Sequence, residues 1–389
     1  MRNSGKIKLH DIIWMRKKMK TEEIKNVAEK FGLPGKFASC EEITAGNINT
    51  TYKIVFKDGS GNEHIYVLQR INTVAFKDPV GLMNNVRLVT SYIEQALKSK
   101  GVEDTRRRVL HFIPSIYGDI LYEENGNYWR VAHFIDNAIA YDLITDPRQL
   151  YEAGRGFGEF QRLLSDFPAE KLTETIPDFH NTKKRFEAFE KSVKDDPAGR
   201  VSSVREEIEF LMERKEKMGR IVELIENGTI PLRVTHNDTK LNNVMLDKDT
   251  GKAVCVIDLD TVMPGTVLYD YGDAIRYGAN TAAEDEEDVS LVGLDMNLFR
   301  LFTDGFVSET SSVLTEQELR YLPFGAYVMT AELVLRFLKD YIDGDVYFRI
   351  KRPGHNLIRT RAQKKLLESI ELHYDEMCGY VQDLIANNN

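Results

Sequence analysis

The chain has 389 residues, 42% of them hydrophobic, with a formal net charge of -9. Length and apolar content suffice for two substantial cores, nothing in the composition points to disorder, collagen or a disulfide scaffold, and the acidic balance argues against nucleic acid as the main partner. The three cysteines, Cys40, Cys255 and Cys378, are far apart and form no Cys-x-x-Cys pair, which favours a reducing compartment with neither disulfides nor a zinc site. At the basic start, the apolar run Ile12 to Met15 stops at Arg16 and so makes no signal core. No stretch approaches the roughly 20 apolar residues of a membrane span. The expectation is a cytoplasmic protein with no membrane partner, and the sequence carries no signal of oligomeric state. Residues before about Thr21 read as a loose extension, with Met15 and Met19 as alternative starts.

In chain order, a short helix is expected from Thr21, its cap, to Phe31, with Ile24, Val27, Ala28 and Phe31 at helical spacing. Strands follow at residues 51–56 and 65–71 around the turn 57–62. A helix over 79–98 carries Leu82, Val86, Val89, Ile93 and Leu97 on one stripe, and two more strands fall near 120–122 and 128–132. From Ala138 the pattern turns helical: 151–164, then one long helix over 205–227 with Gly228 at its C-terminal cap. Two short strands, 231–235 and 253–257, interrupt helices that resume to the end. The acidic run 284–288 reads as a solvated loop. The pattern is α+β and bilobal: a small antiparallel-sheet lobe over 1–134 containing one long helix, and a larger, mostly helical lobe over 135–389.

Between the two short strands stands His236-Asn-Asp-Thr-Lys-Leu-Asn-Asn243, and the second strand ends in Asp258-Leu-Asp260. Phosphoryl transfer needs a carboxylate to orient the acceptor hydroxyl and take its proton, and hard oxygen ligands to hold Mg²⁺ against the phosphates. The order matches the His-x-Asp-x-x-x-x-Asn loop of kinases followed by a strand-end Asp. Asp238 is then the base, and Asn243 and Asp258 hold the metal. Singly, each of these residues reads as an ordinary turn or strand-end residue; together, between strands, they read as a site. Lys240 stands equally as a cation for the moving phosphoryl group or as a solvated loop charge.

Three segments, His236 to Val244, Ile257-Asp-Leu-Asp-Thr-Val-Met-Pro-Gly265 and Asp270-Tyr-Gly-Asp-Ala-Ile-Arg276, resemble the N-acetylhexosamine 1-kinases of the aminoglycoside phosphotransferase superfamily. The resemblance runs from about Gly46 to Gln363 and includes Ala45 to Tyr52, Val67 to Asn72, Glu332 to Tyr341 and Tyr347-Phe348. It implies a bilobal protein-kinase-like fold and ATP-dependent phosphorylation of the anomeric hydroxyl of GlcNAc or GalNAc, with Asp238 facing that hydroxyl. It implies sugar contacts for Arg336 and Tyr347, an Arg being suited to holding several acceptor oxygens. Without the resemblance, Arg336 reads as an ion pair with Asp340 four residues on. Asp260 is either a metal ligand or a support to one. Asp270 and Asp273 brace the catalytic loop, and a sugar contact by Asp273 or Arg276 is the lesser reading.

No Gly-x-x-x-x-Gly-Lys motif is present, so the phosphate-covering turn is assigned to Gly46-Asn47-Ile48-Asn49-Thr50-Thr51. The Val-Ala-Ile-Lys of protein kinases is replaced by Val67-Leu-Gln-Arg70. Gln69 and Arg70 point to opposite faces of a strand, so only one reaches the phosphates: charge favours Arg70, the lysine's column favours Gln69. No helix Glu partner stands near Asn84. Val131 to Ile135, with His133, is the expected hinge for adenine. Two rivals remain open: a kinase of the same superfamily acting on an amino alcohol, an aminoglycoside or another sugar, and a catalytically silent nucleotide-binding protein.

Overall fold

The computed structural model describes residues 19–44 and 48–388. The extension before Met19 and the Gly46-Asn47 part of the turn lie outside the described residues.

Helix α1 (Thr21–Ala28) opens the fold. Thr21 is its first residue rather than its cap, and the Lys20 N–H donates to the Glu23 carboxylate at 2.8 Å. Strands β1 (Lys36–Ile43), β2 (Thr50–Lys57) and β3 (Glu63–Ile71) form an antiparallel meander. Helix α2 (Pro79–Ser99) follows, with Asp78 receiving the Gly81 N–H at its start. Strands β4 (Phe112–Ile113), β5 (Tyr122–Glu124) and β6 (Asn127–His133) complete a six-stranded sheet in which β6 lies beside β3. One face of this sheet buries Tyr52, Ile54, Leu68, Trp129 and Val131 against Ile24, Val27 and Phe31 around α1. The other face, through Ile71, packs on Leu82, Met83 and Val86 of α2, and the same cluster continues into Phe160, Val234, Leu259 and Val262 beyond the sheet. Helix α2 is therefore wedged between the sheet and the strands that carry the catalytic loop. Each such fully buried aliphatic or aromatic side chain contributes about 1.5–3 kcal/mol.

After β7 (Ala138–Ile139), helices dominate: α3 (Arg148–Leu163), α4 (Thr182–Asp195), α5 (Arg205–Met212), α6 (Lys215–Met218) and α7 (Arg220–Glu226). The single helix expected over 205–227 is thus three short ones, broken at Arg214 and at Gly219, a poor helix former. Gly228 ends it as expected, with φ +73° and its N–H on the Ile225 carbonyl. Next come β8 (Arg233–Thr235), β9 (Val244–Asp247), β10 (Ala253–Val256) and β11 (Met263–Gly265), with β8 paired to β11 and β9 to β10. Helices α8 (Val267–Gly278), α9 (Met296–Thr310), α10 (Glu316–Ile342) and α11 (His355–Asn388) close the chain around one large core. The acidic run is not simply solvated. Glu284 reaches Arg276 at 2.9 Å, and Asp285 takes His355 at 2.8 Å and Lys351 at 3.3 Å.

Candidate active site

The loop from His236 to Asn243 is held by the first turns of α8. The Asp270 carboxylate, buried, accepts the N–H groups of His236 and Asn237, each at 2.8 Å, and the Gln161 amide from α3 at 2.8 Å. Asp273 accepts the Thr239 N–H at 3.1 Å. Asn237 adopts φ +64°, a left-handed conformation that Asn tolerates, and its amide donates to the Thr261 carbonyl at 2.8 Å. The His236 ring, edge-on to Phe157 and Phe160, bonds the Ile257 carbonyl through Nε2 at 2.8 Å, which leaves Nδ1 to accept the Asp238 N–H at 3.3 Å. One histidine thus fixes both the start of the loop and the segment that delivers Asp258.

Asp238 Oδ1 lies 2.6 Å from Lys240 Nζ, and Asn243 Nδ2 donates to the Asp238 carbonyl at 2.7 Å and to its Oδ2 at 3.1 Å. Burial raises the Asp238 pKa, but Lys240, His236 and Asn243 outweigh it and hold the carboxyl below its ordinary value. Burial likewise works against the Lys240 ammonium, and Asp238 more than compensates. Asp258 sits at φ +59°, an unusual conformation for a non-glycine residue. Its surface is open to solvent while protein crowds it on its other sides. Burial, then Asp260, then Asp238 push its carboxyl up to about 6.

Asp260 is committed elsewhere. Its Oδ1 lies 2.6 Å from Arg130 Nη1 and its Oδ2 receives the Asn49 amide at 2.5 Å. Gln69 and Arg130 face each other across β3 and β6, with Arg130 Nε donating to Gln69 Oε1 at 2.9 Å. Arg70 points to the opposite face: its guanidinium lies 5.8 Å from the Trp129 ring centroid and donates to Thr50 Oγ1 at 3.4 Å. Arg70 and the Thr50 side chain therefore share the α1 side of the sheet, opposite Gln69, as the strand's alternation requires. At the hinge, the His133 and Phe134 N–H groups are taken by the His111 and Ile65 carbonyls. Among the described residues no acceptor meets the Ile135 N–H. Ile135, Ala138 and Cys255 form a small apolar cluster there.

Arg276 is buried, bonding Asp273 at 2.8 and 3.0 Å, Glu284 at 2.9 Å and Gln363 at 3.4 Å. Arg336 does not pair with Asp340. It turns back to Glu332 at 3.4 Å and lies 5.5 Å from the ring centroids of both Phe179 and Phe348. Asp340 instead accepts the N–H groups of Val346, Tyr347 and Phe348 at 2.7–2.8 Å, shaping the turn that presents the exposed Tyr347 ring. Glu332 is fully buried and also meets His180 Nδ1 at 3.1 Å and Arg185 at 3.3 Å. Despite burial, His180, Arg185 and Arg336 hold its carboxyl down to about 2. A cleft of about 250 Å³ reaches from His180, Phe179 and Tyr269 to Asn237 of the loop, and Asp238 is not among its walls.

Sequence reasoning missed Arg130, Asn85 and the His180–Arg185–Glu332 cluster. The one signal available was Arg130 itself, a charge in the middle of the strand Tyr-Trp-Arg-Val-Ala.

A sheet-plus-helix fold with an Asp–Asn loop and a strand-end Asp defines a kinase-like phosphotransferase. Residues 39–293, well over half of the chain, match the phosphotransferase enzyme family APH, and the protein belongs to that family. The fold is similar to that of amicoumacin kinase hAmiN in complex with AMP-PNP, Ca²⁺ and Ami (TM-score 0.59, 11% identity, 89% of this chain and 93% of that one). It is also similar to a microcompartment-associated aminopropanol kinase (0.58, 14%, 92% and 98%). An aminoglycoside phosphotransferase from Alicyclobacillus acidocaldarius matches as well (0.54, 10%, 96% and 96%). No helix among the described residues is long and apolar enough to cross a membrane.

Proposed function

We propose that the protein transfers the γ-phosphoryl group of ATP to the anomeric hydroxyl of an N-acetylhexosamine, giving the sugar 1-phosphate, with the lobe boundary at residues 134/135. The observation that carries the reading is the Asp238–Lys240–Asn243 cluster facing the segment that bears Asp258. Asp238 orients the 1-hydroxyl. As the anomeric oxygen bonds to the γ-phosphorus and the bond to the β,γ-bridging oxygen breaks, the proton passes to Asp238 and ADP leaves. A carboxylate held at low pKa by Lys240 is a weak base, which suits a loose transition state in which the proton moves late. Lys240 is placed to follow the phosphoryl oxygens once Asp238 engages substrate.

Asn243 Oδ1 and the Asp258 carboxylate fit Mg²⁺. Both are hard oxygen donors, and Asp258 is a crowded carboxylate with no cation bonded to it among the described residues. Bound there, Mg²⁺ would neutralise charge on the β- and γ-phosphates. Asp260, paired with Arg130 and bonded by Asn49, is assigned to support this segment rather than to ligate the metal. The free Ile135 N–H and its apolar cluster suit the adenine edge. Arg336 and Tyr347 are assigned to the sugar. The choice of a sugar over an ammonium substrate rests on the resemblance of the Asp258-Leu-Asp-Thr261 and Arg336–Tyr347 segments to the sugar 1-kinases.

The alternative, a kinase for an amino alcohol or aminoglycoside, shares every step except the acceptor. Turnover with GlcNAc or GalNAc and none with its methyl glycoside, whose 1-oxygen is blocked, is the expected result. Equal turnover on the methyl glycoside would refute transfer to the anomeric position. Arg336→Ala is expected to raise the KM for sugar at least tenfold with little change in the KM for ATP, and an unchanged sugar KM would favour the alternative.

A further inference from the structure

Protein kinases hold the nucleotide phosphates with a lysine on the third strand, fixed by an ion pair to a glutamate on the long helix. Here that strand column holds Gln69, and the one acid within α2, Glu94, is engaged with Lys98 at 2.6 Å. Helix α2 is fastened another way. Asn85, buried, donates to the Thr173 and Val262 carbonyls at 2.7 and 3.0 Å and accepts the Thr173 N–H at 2.8 Å. A cation nevertheless stands in the same region, on the neighbouring strand. Arg130 is 3% exposed, lies directly opposite Gln69, and ion-pairs with Asp260 across the boundary between sheet and catalytic segment.

What Arg130 touches is informative. Through Asp260 it is linked to Asn49, whose Oδ1 also accepts the Asn72 N–H at 3.0 Å, so the pair ties the phosphate-covering turn to the Asp258 segment. Through Gln69 it is linked to Thr51, which accepts the Gln69 amide at 3.2 Å. Three elements that would surround a bound triphosphate thus meet at one guanidinium. A buried ion pair is weak evidence for stability, since desolvation consumes most of its Coulomb energy, and is better explained as a device for geometry.

We propose that Arg130 is a positioning residue for the nucleotide. From β6 it takes the part of the strand lysine, with Asp260 in place of the helix glutamate, and it draws the covering turn and the metal-bearing segment into one arrangement. The proposal rests on the phosphotransferase reading above.

The test compares wild type, Arg130→Met, Arg130→Lys and the double variant Gln69→Lys/Arg130→Met. The readouts are KM for ATP, KM for acceptor, kcat, and the rise in melting temperature on adding ATP with Mg²⁺. Directly opposed side chains start about 5 Å apart, so a lysine at position 69 can reach Asp260. The expected result is that Arg130→Met lowers kcat/KM for ATP about 100-fold, loses most of the ATP-induced thermal shift and leaves the acceptor KM within about twofold, the loss expected of misplaced reactants. Arg130→Lys is expected to be intermediate, and the double variant to recover at least tenfold. The proposal is overturned if Arg130→Met keeps kcat/KM for ATP within about threefold. It is equally overturned if Arg130→Met and Arg130→Lys lose ATP and acceptor parameters alike and Gln69→Lys restores neither. Wild-type protein that shows no thermal shift with ATP would remove the nucleotide reading itself, an outcome distinct from a wild-type shift that Arg130→Met leaves intact.

Discussion

Gly272 lies on α8 between Asp270 and Asp273, the two carboxylates that carry the catalytic loop. A β-carbon there would sit 2.3 Å from the Gly325 carbonyl oxygen of α10 and 2.8 Å from Met329 Cγ, about 1 Å short of the 3.4 Å at which ordinary contact begins. The nearest obstacle is backbone and cannot rotate away, and Gly325 is equally tight against the Leu268 carbonyl at 2.4 Å. Gly272→Ala is therefore expected to push α8 from α10 by about 1 Å, with an overpacking cost of about 1–3 kcal/mol. For a lobe of this size that is a loss of about 2–4 °C in Tm per kcal/mol. The displacement moves Asp270 and Asp273 along with α8, and a 1 Å shift of a reacting group costs on the order of 10² in rate. Thermal denaturation and coupled ADP release, measured on the same preparation, separate the two effects. A variant with wild-type Tm and kcat within about twofold would refute the idea that this helix contact positions the loop.

Asp238→Asn is expected to lower kcat by about 10²- to 10⁴-fold with acceptor and ATP still bound; near-normal turnover would remove Asp238 as the base. The raised Asp258 carboxyl, at about 6, means that protons compete with the metal, so the Mg²⁺ concentration for half-maximal rate is expected to climb as pH falls through 6; a flat requirement from pH 5 to 8 would contradict this. The same shift fixes a stability sign. A folded-state pKa above the unfolded one gives stability that is complete below about 4 and lost as pH rises through 6, so metal-free Asp258→Asn is expected to melt above wild type at pH 7.5 and to converge with it near pH 4. Arg70→Met is expected to leave the KM for ATP unchanged, since its side chain shares a face with Trp129; a tenfold rise would place it at the phosphates after all.

Elements with strong periodicity were legible from residues alone. The α2 stripe, the β2–β3 hairpin and the order of loop and strand-end Asp each follow from local pattern. Features fixed by distant partners were not. Asp260 resembles Asp258 in sequence, and only the approach of Arg130 and Asn49, more than a hundred residues away, separates them. Arg336 has carboxylates at both i−4 and i+4, and the choice fell to Glu332 because Asp340 is occupied by three backbone N–H groups of the 346–348 turn. The helix expected over 205–227 had a continuous apolar stripe, but stripes do not register breaks such as those at Arg214 and Gly219. Gln69 and Arg70 could be separated only by knowing which face of β3 meets α1, a tertiary fact.

Transfer to an N-acetylhexosamine is tested by ADP release from ATP and Mg²⁺ across a panel of GlcNAc, GalNAc, glucose, galactose, choline, homoserine and kanamycin. Turnover confined to the two N-acetylhexosamines is the predicted result. Preferential turnover on choline, homoserine or kanamycin, or on none of the panel, would contradict the assigned acceptor.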